Sequence, residues 1–147
     1  MDSLKLKLEK LPKDIALEVR KAVNVGAFMV QKEAIKMIKR RTQGRVYARG
    51  KGKGKRRKFH VASTPFGPPN TDTGNLWKNI KVTRSTGAVS GGVTAFVVSK
   101  AEYSKALEFG TSKMKRRPFM NPALNRSKKK IKALIQEAIN GVSRFKK

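Results

Sequence analysis

The sequence predicts an α+β fold: a long N-terminal helix, a small antiparallel sheet of about three to four strands, and a C-terminal helix packed on that sheet. Three observations predict it. Apolar residues recur at spacings of three and four from Pro12 to about Arg41, alternating and β-branched runs occur between Asn75 and Ser99, and a second helical pattern begins at Pro122. A long basic loop separates the first helix from the sheet.

The chain has 147 residues, which suits one domain spanning 1–147, and with 38% hydrophobic residues it is long enough for a modest core. Its formal net charge is +27. Such a balance repels itself unless something acidic or a concentrated counterion is near, and it points to nucleic acid, an acidic protein partner, or both. With no cysteine, a disulfide framework and a thiolate metal site are excluded. The N-terminus has no apolar run of signal-peptide length, and no stretch approaches the roughly 20 apolar residues of a membrane span. The expectation is a protein made and used in a cytoplasm, with no membrane partner.

Residues 1–11 form an N-terminal arm in which Leu4, Leu6, Leu8 and Leu11 are separated by lysines. The pattern fits a strand added to a neighbour's sheet or an arm flanking a helix. In the first helix Ile15, Val19, Ala22, Val23, Gly26, Ala27, Val30, Ala34, Met37 and Ile38 lie on one stripe. Asp14 and Glu18 suit the positive end of its dipole, and Lys36, Lys39, Arg40 and Arg41 the negative end. Gly26 on the stripe predicts close approach of another element.

Regular periodicity stops between residues 43 and 73, which read as a Gly/Pro-rich extended loop. Its basic part carries Arg45, Arg49, Lys51, Lys53, Lys55, Arg56, Arg57 and Lys58 with no acidic residue. A loop this long inside a compact domain is generally functional. Asn75–Thr86 and Val93–Ser99 then predict a hairpin across a glycine-containing connection, and Leu107–Thr111 extends the same sheet. From Pro122 to about Asn140, Leu124, Ile131, Leu134, Ile135, Ala138 and Ile139 share a face. Asn140 and Gly141 supply the stop, and 141–147 is a basic tail.

The densest constraints fall between Tyr103 and Ala123. Tyr103, Ala106, Leu107 and Phe109 predict a short buried strand, broken by Gly110. A basic tongue (Lys113, Lys115, Arg116, Arg117) ends at Pro118. Phe119 and Met120 are the next apolar anchors, and Pro122 opens a helix at no hydrogen-bond cost.

This arrangement resembles the tail-component family of long-tailed bacteriophages, whose members serve as tail-completion or neck proteins. The resemblance is carried by Tyr103, Glu108, Phe109, Gly110, Thr111, Arg117, Pro118, Phe119, Pro122 and Ala123, with Thr73-Gly74-x-Leu76 as an upstream landmark. It implies a virion subunit, assembled in the host cytoplasm, that forms a ring, commonly a hexamer. The ring would join the tail tube to the head connector and surround the DNA channel. Its partners would be other copies of itself, a head-connector or stopper protein, a tail-terminator or tail-tube protein, and DNA held without sequence preference. On this reading Tyr103, Glu108, Phe109, Gly110, Thr111, Pro118, Phe119 and Pro122 form the structural signature and subunit contact. Arg45–Lys58 reach a neighbouring ring, and Lys113, Lys115, Arg116 and Arg117 face either DNA or an acidic protein surface. The loop at 43–73 is longer and more charged than the family pattern.

No enzyme is expected, and no cofactor or metal. Asp72-Thr73-Gly74 spells the tripeptide of dimeric aspartic proteases, in which two aspartates share a proton. That site needs a buried apolar strand before the aspartate, whereas Pro68, Pro69, Asn70 and Thr71 precede Asp72, so it reads as a turn or cap residue. His60 is the only histidine. The glycines at 50, 52 and 54 match neither phosphate-loop spacing. Composition alone also fits a sequence-nonspecific nucleic-acid binder of ribosomal or chromatin type. Against that alternative, the basic segments hold no stacking aromatics beyond Tyr47 and Phe59.

Overall fold

The computed structural model describes residues 13–40, 42–49, 58–83 and 93–144. The N-terminal arm, the tip of the basic loop at 50–57, the connection at 84–92 and the last residues of the tail lie outside them. The architecture is mixed α and β. Helix α1 spans Lys13–Lys39, strands β1 (Val46–Arg49) and β2 (Lys58–Val61) come next, and then the short helix α2 (Asn75–Lys78) and strands β3 (Ile80–Thr83) and β4 (Phe96–Ser99). Helices α3 (Ser104–Phe109) and α4 (Met120–Arg144) complete the chain.

Helix α1 buries Ile15, Val19, Gly26, Ala27, Val30, Ala34, Met37 and Ile38, the stripe its three-four spacing dictates. Most of that stripe faces α4, which runs antiparallel to it. Glu33 pairs with Arg126 near one end of the contact, and Ile15 and Val19 meet Ile135, Ala138 and Ile139 near the other. A β-carbon on Gly26 would lie 3.0 Å from the Ile131 side chain, so the glycine marks the close crossing of these two helices. The second half of α1 covers the main core, formed with Leu76, Ile80, Ala101, Phe119 and Ala123.

The four strands form two separate antiparallel ladders. In one, β3 pairs with β4 in the register Ile80 to Ser99 and Thr83 to Phe96, which turns Ile80, Val82 and Val97 toward α1 and leaves Lys81, Phe96 and Val98 exposed. Gln31 of α1 donates to the Ile80 carbonyl at 2.7 Å and ties helix to strand. The other ladder, β1 with β2, is a hairpin inside the segment expected to be an irregular loop.

Three local expectations are corrected. Residues 104–109 are helical and do not extend the sheet. Tyr103, Ala106 and Leu107 are spaced three and one apart, which is as compatible with one helical turn as with a strand, and Ser104, Lys105, Ala106, Leu107 and Glu108 include good helix formers. Asn75–Lys78 is likewise a helical turn, so the strand begins only at Ile80 and the polar interruption at Trp77 and Lys78 is explained. Finally, α4 passes through Asn140 and Gly141 to Arg144, because Gly141 lacks the positive φ of a terminating cap and the helix simply continues. The long partner of α4 is α1, and its Met120, Ala123 and Ile131 join Ile80 and Val97 of the β3–β4 ladder in the same core.

Candidate interaction surface

Two regions gather the residues singled out by the sequence. The first is built around Glu108, on the last turn of α3. One carboxylate oxygen accepts from the backbone N–H groups of Phe119 at 2.8 Å and Met120 at 3.0 Å, and the other accepts from Asn121 at 2.9 Å. These are the donors that the first turn of α4 leaves without a helical partner, and the next residue, Pro122, has no N–H to satisfy. One carboxylate and one proline therefore account for the whole helix start, and the negative charge sits at the positive end of the α4 dipole. Phe119 is 0% exposed and drives this junction into the core.

Between Glu108 and Phe119 the chain makes a tight basic loop. Gly110 has φ 81 and ψ 178, a region open only to glycine, and a β-carbon there would lie 2.9 Å from both Arg116 N and Met114 O. Thr111 and Met114 exchange backbone hydrogen bonds, and Arg117 N donates to the Leu107 carbonyl at 2.6 Å. Phe66, from the loop after β2, donates its N–H to the Arg116 carbonyl at 2.9 Å. Its φ is 64, uncommon for a bulky side chain, and its ring is 60% exposed with Lys115 Nζ and the Arg116 guanidinium within 6 Å of its centre. Phe109 is 71% exposed, and Lys113, Lys115 and Arg116 point outward beside it in sequence. Arg117 is largely covered, with its Nε buried. Tyr103 is exposed and near Asn75, Thr111 is exposed, and Pro118 is half-buried. Thus the signature divides: Glu108, Gly110, Phe119 and Pro122 build the junction, while Phe109 faces outward. Phe66 escaped the sequence reading, because a backbone conformation leaves no trace in composition.

The second region is the β1–β2 hairpin. Val46, Tyr47 and Phe59 are all exposed although they lie on both of its faces, so the ladder stands away from the core. Asn70 fixes its base: the side-chain oxygen accepts from Thr42 N and Oγ1, both at 2.8 Å, and Nδ2 donates to the carbonyls of Thr42 and Val61 at 3.0 Å. Gly44 allows the two sides to close, since a β-carbon there would collide with the Ala62 carbonyl oxygen. Arg45 lies by the Tyr47 ring, at 5.6 Å. The strands carry Arg49 and Lys58 at their outer ends, while Lys51, Lys53, Lys55, Arg56 and Arg57 lie outside the described residues.

Asp72 sits in a bend with an oxygen 3.7 Å from His60 Nδ1, in a cleft of about 380 Å³ that also touches Tyr103 and Arg117. It does not end a buried strand. Among the described residues no group of three or more histidine or acidic side chains could hold a metal ion, and no helix is long and apolar enough to cross a membrane.

Compared with known families, residues 2–110 match the model described as "Bacteriophage HK97-gp10, putative tail-component". No curated protein and no solved structure matches the chain. The matched span contains α1, the hairpin, the β3–β4 ladder and α3 up to Gly110. Thr111, Pro118, Phe119 and Pro122, on which part of the sequence resemblance rested, lie beyond it.

Proposed function

The chain belongs to the HK97-gp10-like tail-component family of bacteriophages, and from that premise we propose that it is a subunit of the neck or tail-completion ring that joins tail tube to head connector around the DNA channel. A tail component is a structural part of the virion and works against other structural proteins of the particle. The finer reading has the chain form a ring, commonly a hexamer, between a connector or stopper protein and a tail-terminator or tail-tube protein.

The observation that carries this reading is the hairpin. A two-stranded ladder is marginal by itself, yet here Asn70 and Gly44 fix its base while Val46, Tyr47 and Phe59 stay exposed along it. That is a docking arm, and it gives Arg45–Lys58 a neighbouring ring to reach. Gly110, Thr111 and Pro118 shape the subunit contact, and Lys113, Lys115 and Arg116 add to it.

The net charge of +27 favours the second reading, a sequence-nonspecific nucleic-acid binder. Native mass spectrometry of the nuclease-treated protein at high and then low salt separates the two. A discrete ring-sized species without nucleic acid is expected. A monomer at both salts that shifts only when DNA is added would transfer the assignment to the binder. In that case, if six to ten cations met phosphates, affinity would fall by roughly 10³ to 10⁵ between 50 and 200 mM salt.

A further inference from the structure

The basic loop and a groove at the far end of the molecule are complementary. Where the N-terminal half of α1 meets the C-terminal half of α4, an open groove of about 630 Å³ is lined by Leu17, Ala22, Val25, Leu134 and Ala138. Leu17 and Val25 are each half exposed. Asp14, Glu18 and Glu137 also line it, together with Lys21. The chain has only nine acidic residues against 36 basic ones, so three carboxylates around one apolar groove make it an acidic spot on a cationic protein. Glu18 reaches Lys21 at 2.7 Å, but an exposed pair three residues apart on a helix holds weakly and can be exchanged for another cation.

The loop at the start of α4 has the opposite character. Exposed Phe66 has Lys115 and Arg116 within 6 Å of its ring centre, and exposed Phe109 immediately precedes the loop that carries Lys113. Backbone hydrogen bonds from Phe66 to Arg116, from Arg117 to Leu107 and between Thr111 and Met114 hold it in one shape, so little ordering cost would remain on binding. Aromatic and arginine side chains on such a platform are the usual anchors of a protein interface. The positive φ of Phe66 is a strain kept at an exposed ring, which is where a contact would use it.

We propose that the platform of one copy, with Phe66 and Phe109 as anchors, seats in the acidic apolar groove of the next copy. The two patches lie toward opposite ends of α4, separated by roughly 25 Å along the helix at 1.5 Å per residue. Two different, mutually complementary patches at opposite ends give a head-to-tail contact, which closes into a ring when the rotation between copies allows it. The inference rests on the ring reading for closure, but the contact itself rests on these two surfaces.

The absence of native cysteine makes a clean test. Two full-length variants, Lys113→Cys and Lys21→Cys, both at exposed positions, are mixed and treated with a short bis-maleimide. A covalent heterodimer is expected, well above the homodimers either variant gives alone. In unmodified cross-linker-free samples, Lys115→Glu with Arg116→Glu should abolish the multimer at least tenfold in concentration dependence, and adding Glu18→Lys with Glu137→Lys should restore it. A ring-sized species without the 113-to-21 cross-link would overturn this contact and leave the ring reading standing. Cross-linked dimers that never close would keep the contact and remove the ring. A protein with neither multimer nor cross-link loses both. A bridge within one chain between Leu8→Cys and Lys21→Cys, in place of the heterodimer, would give the groove to the chain's own N-terminal segment and overturn the proposal.

Discussion

At the scale of single residues, Glu108 and Gly110 bear more than their position on a loop suggests. Removing the Glu108 carboxylate strands three backbone donors at the start of the longest C-terminal element, and two of them belong to a partly buried junction. Hydrogen bonds to a charged group contribute about 1.5–3 kcal/mol each net of water, and those sharing one carboxylate are not additive. Glu108→Ala is expected to lose about 2–4 kcal/mol in total once water recovers the exposed donor, read as the shift in a urea midpoint. Glu108→Gln keeps one acceptor oxygen and should lose less. Equal losses for the two would mean that packing, not capping, is what Glu108 supplies. Gly110→Val places a branched side chain into a backbone region closed to it and against Arg116 and Met114. Failure to fold or assemble is expected, and soluble Gly110→Val protein of unchanged oligomeric size would refute the geometry. Phe66→Asn gives the opposite sign. Asparagine tolerates a left-handed φ, so thermal stability should hold or rise while any contact made by the ring is lost.

At the scale of elements, legibility tracked length and periodicity. The first helix could be read from the sequence because ten stripe positions repeat over 27 residues, and its buried set matches the periodic one closely. The short helix at Ser104–Phe109 could not, since six residues give barely one full repeat and Gly110 invited a strand-and-break reading. The hairpin does leave a signal in the sequence: Val46, Tyr47, Phe59 and Val61 are strand formers on either side of a glycine-lysine run, which masks them. Its anchor was invisible, because Asn70 and Thr42 are 28 residues apart and only the fold brings them to 2.8 Å. The same holds for the outward platform, where Phe66, from the loop after β2, is tied by its N–H to Arg116 in the loop that follows α3 and Phe109. For the arm the expectation is separable from stability. Replacing Lys53, Lys55, Arg56, Arg57 and Lys58 by serine removes charge while changing no residue of the hydrophobic core, so the melting temperature should stay within a few degrees while particle assembly fails. Normal particle yield and infectivity from that variant would remove the docking role.

At the scale of the whole molecule, the charge decides how the fold responds to its surroundings. With 36 basic and nine acidic side chains, most cations have no carboxylate to meet. Among the described residues the ion pairs are few: Glu18 with Lys21, Glu33 with Arg126, and His60 beside Asp72. These are exposed or half-exposed and worth little individually. Added salt therefore screens far more repulsion than attraction, and at 0.1 M the screening length is already about 10 Å, less than the span of the molecule. The melting temperature of the isolated chain is expected to rise with sodium chloride between 10 and 500 mM. In a chain this size each kcal/mol of relieved repulsion should appear as about 4 °C. Sulfate at equal ionic strength should raise it further, since it is also excluded from the protein surface. A melting temperature that falls with salt would mean that attractive pairs hold the chain together. A subunit built this way gains stability when its cations meet a neighbour's carboxylates, so the assembled form should show a weaker salt response than the free chain. Measuring both forms by scanning calorimetry compares them directly, and an equal response in the two would mean that assembly leaves the cations unpaired.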